Sequence, residues 1–343
     1  MTCKILTFTP KGIYCPQADI YVDPNRMVEN AITTHAHSDH IKKGCRNYFA
    51  HYLTVPMILL RAGANIQITG YNYGEEFTRN GVKISLHPAG HIPGSAQVRF
   101  EYGGEVAVVS GDYKTEDDGL TTPFEPLKCN TFVTESTFAQ PVYKWEEQAK
   151  IFTHINNWWL RNSEHGKVSV LTGYSLGKAQ RLFKNVDHSI GDIYGHFEIT
   201  RINELFADAG LELPPLAHYN RNLPAEKLRG SLIIAPPSVI GSDWLNVLPE
   251  YSLGFASGWM TAGGRPRRGV HAGFAISDHA DWDGLNTAIE QTGAENIYVT
   301  HGYTTTLINW LRRNGKKAYD LKFMGDEDTF DANYNAQINL FEK

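Results

Sequence analysis

The segment His35-Ala36-His37-Ser38-Asp39-His40 constrains this chain more than any other. Three imidazoles and a carboxylate fall within six residues, directly after Ala31-Ile32-Thr33-Thr34, which reads as a buried strand. Neutral imidazole nitrogen and carboxylate oxygen are donors that zinc accepts, so a strand end delivering them together suits a divalent metal. His35 and His37 can converge on one ion while Asp39 and His40, further along, face a second. Chance would assemble this pattern on the order of once in a thousand sequences of this kind, which disfavours a solvated polar turn.

More donors follow in order. His91 lies in His87-Pro88-Ala89-Gly90-His91, after the alternating strand Val82 to Leu86, and Asp112 lies in Ser110-Gly111-Asp112, after Val106 to Val109. Alone, each is an ordinary polar residue. Together they supply one carboxylate able to bridge two cations and a further imidazole; with one distant His for each ion they would complete two four-ligand sites.

The rest of the chain indicates two α/β regions. Asn80-Gly81 and Gly103-Gly104 predict hairpins in a β-rich first third. From about Trp145 to Val270 strands and helices alternate: a helix over 146–160, a strand over 168–171, a helix over 177–186 and a strand over 231–235. That pattern predicts a separate parallel unit. From Gly273 a strand leads to Asp278-His279, and another, over 296–300, ends in His301. The simplest organisation is a catalytic domain of residues 1–144 and 271–343, split by an inserted domain of residues 145–270.

Composition narrows the partners. With 343 residues and a formal net charge of −5, the chain is not a diffuse electrostatic binder of nucleic acid. A polyanionic substrate would need local cations: Lys42, Lys43 and Arg46; Lys178, Arg181 and Lys184; or Arg265, Arg267 and Arg268. The four cysteines are scattered and read as free thiols. No apolar run approaches the roughly 20 residues of a membrane helix, and the first residues lack a secretory pattern, so no membrane association and a cytoplasmic location are expected.

The ordered set Asp23, His35-Ala36-His37-Ser38-Asp39-His40, His91 and Asp112 resembles the metallo-β-lactamase superfamily. Glu135 in Thr134-Glu135-Ser136-Thr137, His279 in Ser277-Asp278-His279-Ala280-Asp281 and His301 in Val299-Thr300-His301-Gly302 resemble its nucleic-acid-processing β-CASP group. Gly90-His91-Ile92-Pro93-Gly94-Ser95, Ser110-Gly111-Asp112-Tyr113-Lys114, Tyr174-Ser175-Leu176-Gly177-Lys178 and Ala256-Ser257-Gly258-Trp259-Met260 are similar to the bacterial ligase-associated DNA exonuclease family.

That resemblance implies an αββα sandwich with a β-CASP insertion and two zinc ions, with manganese as an alternative. His35, His37, His91 and Asp112 would hold the first ion; Asp39, His40, Asp112 and His301 the second. Asp39, Glu135 and His279 would be catalytic, His279 as general acid oriented by Glu135, although Asp278 and Asp281 are rival partners. The implied activity is DNA exonuclease in repair, beside a ligase and a helicase; a 5′→3′ direction is expected from a 5′-phosphate site at the Gly173 to Lys178 turn and is that of the related DNA cross-link repair nucleases. A final His, as at His301, is more typical of RNA-processing members, which keeps an RNA nuclease as the alternative. A small-molecule metallo-hydrolase would need neither the insertion nor Glu135 and His279. A non-catalytic scaffold would have lost donors, whereas every position here is filled.

Substrate contacts are expected at Ser175 and Lys178, where a strand gives way to a helix and N–H groups can hold a 5′-phosphate. Arg265 and Arg267, in a loop with three cations and no acid, are expected to contact the backbone.

Overall fold

The computed structural model describes residues 5–261 and 269–321. It divides into two compact units: Met1–Asp117, Thr121–Pro141 and His279–Lys343 form the first, Asp118–Leu120 and Val142–Asp278 the second.

The first unit begins with a six-stranded sheet, β1 (Thr7–Thr9), β2 (Gly12–Cys15), β3 (Ile20–Val22), β4 (Asn30–Thr33), β5 (Asn47–His51) and β6 (Gln67–Tyr71), bonded in that order. Helix α1 (Val55–Ala62) packs beside β6. A second sheet takes β7 (Glu76–Arg79), β8 (Val82–Pro88), β9 (Ala96–Tyr102), β10 (Glu105–Val109) and β11 (Thr131–Ser136). Asn80 and Gly81, with φ of 48° and 82°, turn β7 into β8, the left-handed pair that a tight hairpin requires.

The second unit is built on β12 (Val168–Thr172), β13 (Ile193–Gly195), β14 (Ala217–His218), β15 (Leu232–Ala235), β16 (Tyr251–Ala256) and β17 (Ala272–Phe274). Their order is β14-β13-β15-β12-β16-β17 and every pair is parallel. Helices α2 (Gln148–Glu164), α3 (Lys178–Asn185), α4 (Phe197–Asp208) and α5 (Ala225–Leu228) belong to it. Parallel strands bury both faces and so read as unbroken apolar runs. Leu171, Leu232 and Ile234 join one core, Val168, Val170 and Ile233 another. The stretch after Gly273 was expected to open the returning catalytic domain. Instead β17 pairs with β16, so residues up to Asp278 cluster with the second unit.

The chain then adds α6 (Trp282–Thr292), β18 (Asn296–Gly302), α7 (Thr304–Arg313) and β19 (Lys317–Asp320) to the first unit, completing a sheet of order β19-β18-β11-β10-β9-β8-β7. The period of two along its central strands decides the layers. Ala107, Val109, Val133 and Tyr298 meet Ile20, Val22 and Ile32 of the first sheet. Val108, Phe132, Ile297 and Val299 meet Leu285, Ile289, Leu307 and Leu311 of α6 and α7. Burying each of these large side chains contributes about 1.5–3 kcal/mol. A one-residue slip would exchange the two faces.

Those pairings also aim the strand ends. β10, β11 and β18 are mutually parallel, and β8 and β10 both run against β9. The C-terminal ends of β8, β10, β11 and β18 therefore emerge at one edge, carrying His91, Asp112, Glu135 and His301. Among the described residues no helix is long and apolar enough to cross a membrane.

Candidate metal centre

The loop after β4 is fixed before any ion is considered. Asp23, at φ 42°, accepts from the Thr34 amide at 2.8 Å and the Thr34 hydroxyl at 2.5 Å. Its Oδ2 also lies 2.7 Å from His40 Nδ1, which leaves Nε2 of that ring facing inward. Thr34 Oγ1 is 3.1 Å from His35 Nδ1, turning the His35 Nε2 inward as well. Gly111, beside Asp112, has φ 58°, and a Cβ there would come within 2.6 Å of Thr34 Oγ1, so only glycine lets the two loops close. The Ser95 hydroxyl accepts from the amides of His91 and Ile92, at 3.1 and 3.2 Å, and the Ala96 amide donates to Thr34 carbonyl at 2.7 Å.

These constraints bring His35, His37, His91 and Asp112 together: one donor atom from each lies within 4.8 Å of the others. His37 Nδ1 is 3.1 Å from both His35 Nε2 and His91 Nε2. Asp112 Oδ2 is 3.5 Å from His35 Nε2 and 3.8 Å from His91 Nε2. Tetrahedral zinc with bonds of about 2.0–2.1 Å would set such nitrogens roughly 3.3–3.4 Å apart. The donor set therefore fits a cation in kind, number and spacing.

The second expected set is gathered more loosely. His40 Nε2 lies 3.6 Å from Asp112 Oδ2 and 3.7 Å from Asp39 Oδ2, and the His40 and His301 rings are 5.6 Å apart between centroids. Asp23, His35 and His40 form a close grouping instead. His301 has φ 52°, in the left-handed region, and its carbonyl accepts from the Ser136 hydroxyl. Holding a non-glycine residue there costs of order 1–3 kcal/mol.

Electrostatics separates the rings. Burial, reinforced by His40, holds His35 well below the ordinary histidine range, and burial likewise takes His301 down to about 4. At His40 burial opposes the charge, but Asp112, Asp39 and Asp23 outweigh it and raise the ring to about 10. Asp112 is pushed up to about 7 by burial. Asp39 falls to about 2 because His40 and His37 outweigh its burial. His35 and His301 are thus held neutral, the form that donates a lone pair, while the carboxylates around His40 favour its protonated ring until a cation takes the proton's place.

Asp112 also lies within 4.8 Å of Glu135 and His279 through its nearest donor atoms. His279 Nδ1 is 3.0 Å from both Glu135 oxygens, and the Tyr113 amide donates to Glu135 Oε1 at 2.7 Å. Burial works against the Glu135 charge, yet His279 and these hydrogen bonds pull its pKa below the ordinary carboxylate range. The rival carboxylates serve elsewhere: Asp281 caps α6 by accepting from the Gly284 amide at 2.8 Å, and Asp278 meets Lys178 and Arg181.

The expected phosphate contacts take other places. Lys178 is buried, its Nζ 3.4 Å from Asp278 Oδ2 and 5.2 Å from the Tyr174 ring centre. Ser175 Oγ donates to Glu198 at 3.1 Å. The expectation is a point charge at a helix start; in the structure that ammonium has a carboxylate partner 100 positions away in sequence. Arg265 and Arg267 lie outside the described residues. Thr34, Ser95, Ser136 and the Tyr113 amide were not singled out from sequence. Hydroxyls in strand ends carry no pattern, and a backbone donor carries none at all.

No family model matches the chain. A probable DNA ligase of Opitutus terrae is 27% identical over 312 residues, 90% of this chain and 30% of that protein. Cleavage and polyadenylation specificity factor subunit 3 of Dictyostelium discoideum is 26% identical over 127 residues, 35% of this chain and 16% of that protein. Endoribonuclease YSH1 of Saccharomyces cerevisiae is 29% identical over 125 residues, again 35% and 16%. These are proteins named for work on nucleic acids. The chain spans 30% or less of their length. A structure of a protein of unknown function from Enterococcus faecalis V583 shares the fold, with TM-score 0.59 and 13% identity over 84% of this chain and 78% of that one.

Proposed function

We propose that the chain is a metal-dependent nuclease of the metallo-β-lactamase, β-CASP kind, cleaving phosphodiester bonds of DNA. The observation that supports it most is the buried convergence of His35, His37, His91 and Asp112 beside the Glu135–His279 pair. A small-molecule hydrolase needs the first group but has no use for the second. The likeness to a probable DNA ligase over nearly the whole chain favours DNA as substrate; a ligase and a helicase as partners in repair rest on the family resemblance alone.

In this reading His35, His37, His91 and Asp112 would hold one zinc or manganese ion, and Asp39, His40, Asp112 and His301 would hold another. When bound, the ions supply Lewis acidity for water activation and neutralise charge on the phosphate. Glu135 fixes the proton on His279 Nδ1 and stabilises the charged ring, so that Nε2 can donate a proton to the leaving sugar oxygen. Asp23 and Thr34 keep His40 and His35 turned inward. The 5′→3′ direction rests on the family resemblance, since Lys178 and Ser175 are engaged within the protein.

A second reading, an RNA-processing endonuclease, is favoured by the likeness to endoribonuclease YSH1 and by a His at position 301. One experiment separates the two: matched DNA and RNA strands labelled at the 5′ or 3′ end, digested after chelation with zinc or manganese added back. Stepwise shortening of DNA from the 5′ end is expected. Internal cuts in RNA alone would favour the second reading, and no cleavage of either strand would remove both.

A further inference from the structure

The second unit buries four charged side chains together: Asp118, Lys178, Arg181 and Asp278. Arg181 Nη1 donates to the Ser277 carbonyl at 2.5 Å and lies 3.3 Å from Asp278 Oδ1. Its Nε donates to Gln148 Oε1 at 2.8 Å and lies 3.9 Å from Asp118 Oδ2. Such a cluster is a poor device for stability alone. Desolvating each ion costs several kcal/mol, and apolar replacements of similar volume are often neutral or better. What ionic hydrogen bonds add is direction: Arg181 holds a backbone carbonyl and the next side chain through one planar fork.

The peptide so held is Ser277-Asp278, and the next residue is His279. This stretch lies between the end of β17 at Phe274 and the start of α6 at Trp282, with no strand or helix of its own. A segment without a ladder is soft unless side chains tether it. The tethers on its far side are the Ala280 amide, donating to the Tyr113 carbonyl at 2.7 Å, and the Asp281 cap.

We propose that Arg181 is a positioning residue for His279: by holding the Ser277 carbonyl and the Asp278 carboxylate, it fixes the chain one residue before the imidazole that Glu135 orients. The inference rests on the reading of His279 as proton donor. Displacing a reacting group by about 1 Å costs on the order of 100-fold in rate.

The test uses the full-length, metal-loaded protein, an oligonucleotide and a p-nitrophenyl phosphodiester, whose leaving group needs no proton. Arg181→Met should lower kcat on the oligonucleotide by about 10–100-fold, with KM within about threefold and metal content unchanged. On the p-nitrophenyl ester, and in a His279→Ala background, the loss should shrink below about threefold, because the two residues act as one unit. Asp278→Asn, which keeps a hydrogen-bonding side chain of the same shape, should give the same pattern at smaller size, and it carries the test if Arg181→Met does not fold. An equal loss on both substrates, or losses that multiply with His279→Ala, would overturn the inference. If His279→Ala itself keeps full rate, the acid reading fails. If it is impaired while Arg181→Met and Asp278→Asn keep wild-type kcat, only the positioning role fails.

Discussion

The open end of the first unit's sandwich and the start of α3 in the second unit both bury several titratable side chains, but they close their charges differently. Around Lys178 and Arg181 each cation meets a carboxylate or a carbonyl, and the ammonium of Lys178 is held below its usual range by burial despite Asp278. Around His35 the rings point their nitrogens at one another, 3.1 Å apart, with one carboxylate among them. The first arrangement is complete within the protein. The second gathers imidazole nitrogens and a carboxylate within reach of a single cation. Burial alone therefore does not mark a site; unbalanced donor chemistry does.

The largest effect expected from that contrast is at Asp112, which lies within 3.5–3.8 Å of three ring nitrogens. Asp112→Ala should lower metal content below that of the wild type and remove most of the metal-dependent rate. Full metal content in the variant, measured by elemental analysis, would break the comparison at its root.

Next come the two histidines at the edge. His279→Ala should keep its metal and lose rate by about 10²–10⁴-fold, the range of a missing general acid. His301→Ala should lose metal as well as rate. Equal metal loss in both would place His279 among the ligands instead.

A smaller effect, read in stability, belongs to the closed cluster. Lys178→Met removes one of the cations beside Asp278 and should cost about 3 kcal/mol, the lower end for breaking a buried pair, with metal content and KM unchanged. A weakened affinity for 5′-phosphorylated DNA at unchanged stability would show that Lys178 faces substrate after all.

How much of this was legible in the sequence follows from the range of the interactions. His35, His37, Asp39 and His40 declare themselves because the donors sit within one loop. His91 and Asp112 declare themselves because each follows a strand, alternating in one case and unbroken apolar in the other, with a glycine directly before it. Lys178 and Arg181 read as cations offered to a polyanion because their partner Asp278 is 97 positions from Arg181. β17 was assigned to the returning domain because three residues, Ala272–Phe274, do not say which neighbour they will pair with. Thr34 and Ser136 carry no signal, since a hydroxyl at a strand end acquires meaning only from the backbone turned toward it.

The smallest effect uses a buried imidazole that belongs to neither cluster. His51 ends β5, stacks on Tyr73 with centroids 3.8 Å apart, and accepts from the Leu53 amide at 3.4 Å. Burial takes its pKa from the ordinary 6.5 down to about 4. The fold thus favours the neutral ring. Its contribution is fully present above about pH 6.5 and is lost as pH falls toward 4, at about 1.4 kcal/mol per unit, or roughly 3 kcal/mol across the window. His51→Asn keeps an acceptor for the Leu53 amide but does not titrate there. At pH 7 and above it should be the less stable protein, through lost ring packing. As pH falls from 6.5 to 4 the wild type should lose stability faster, so the gap narrows or reverses. Denaturant melts of both proteins, run metal-free so that ligand protonation enters both equally, read the difference directly. Parallel curves through that window would mean that His51 is not held neutral. Acid sensitivity would then arise in other groups, and the contrast between an imidazole buried for packing and imidazoles buried for a cation would lose its internal control.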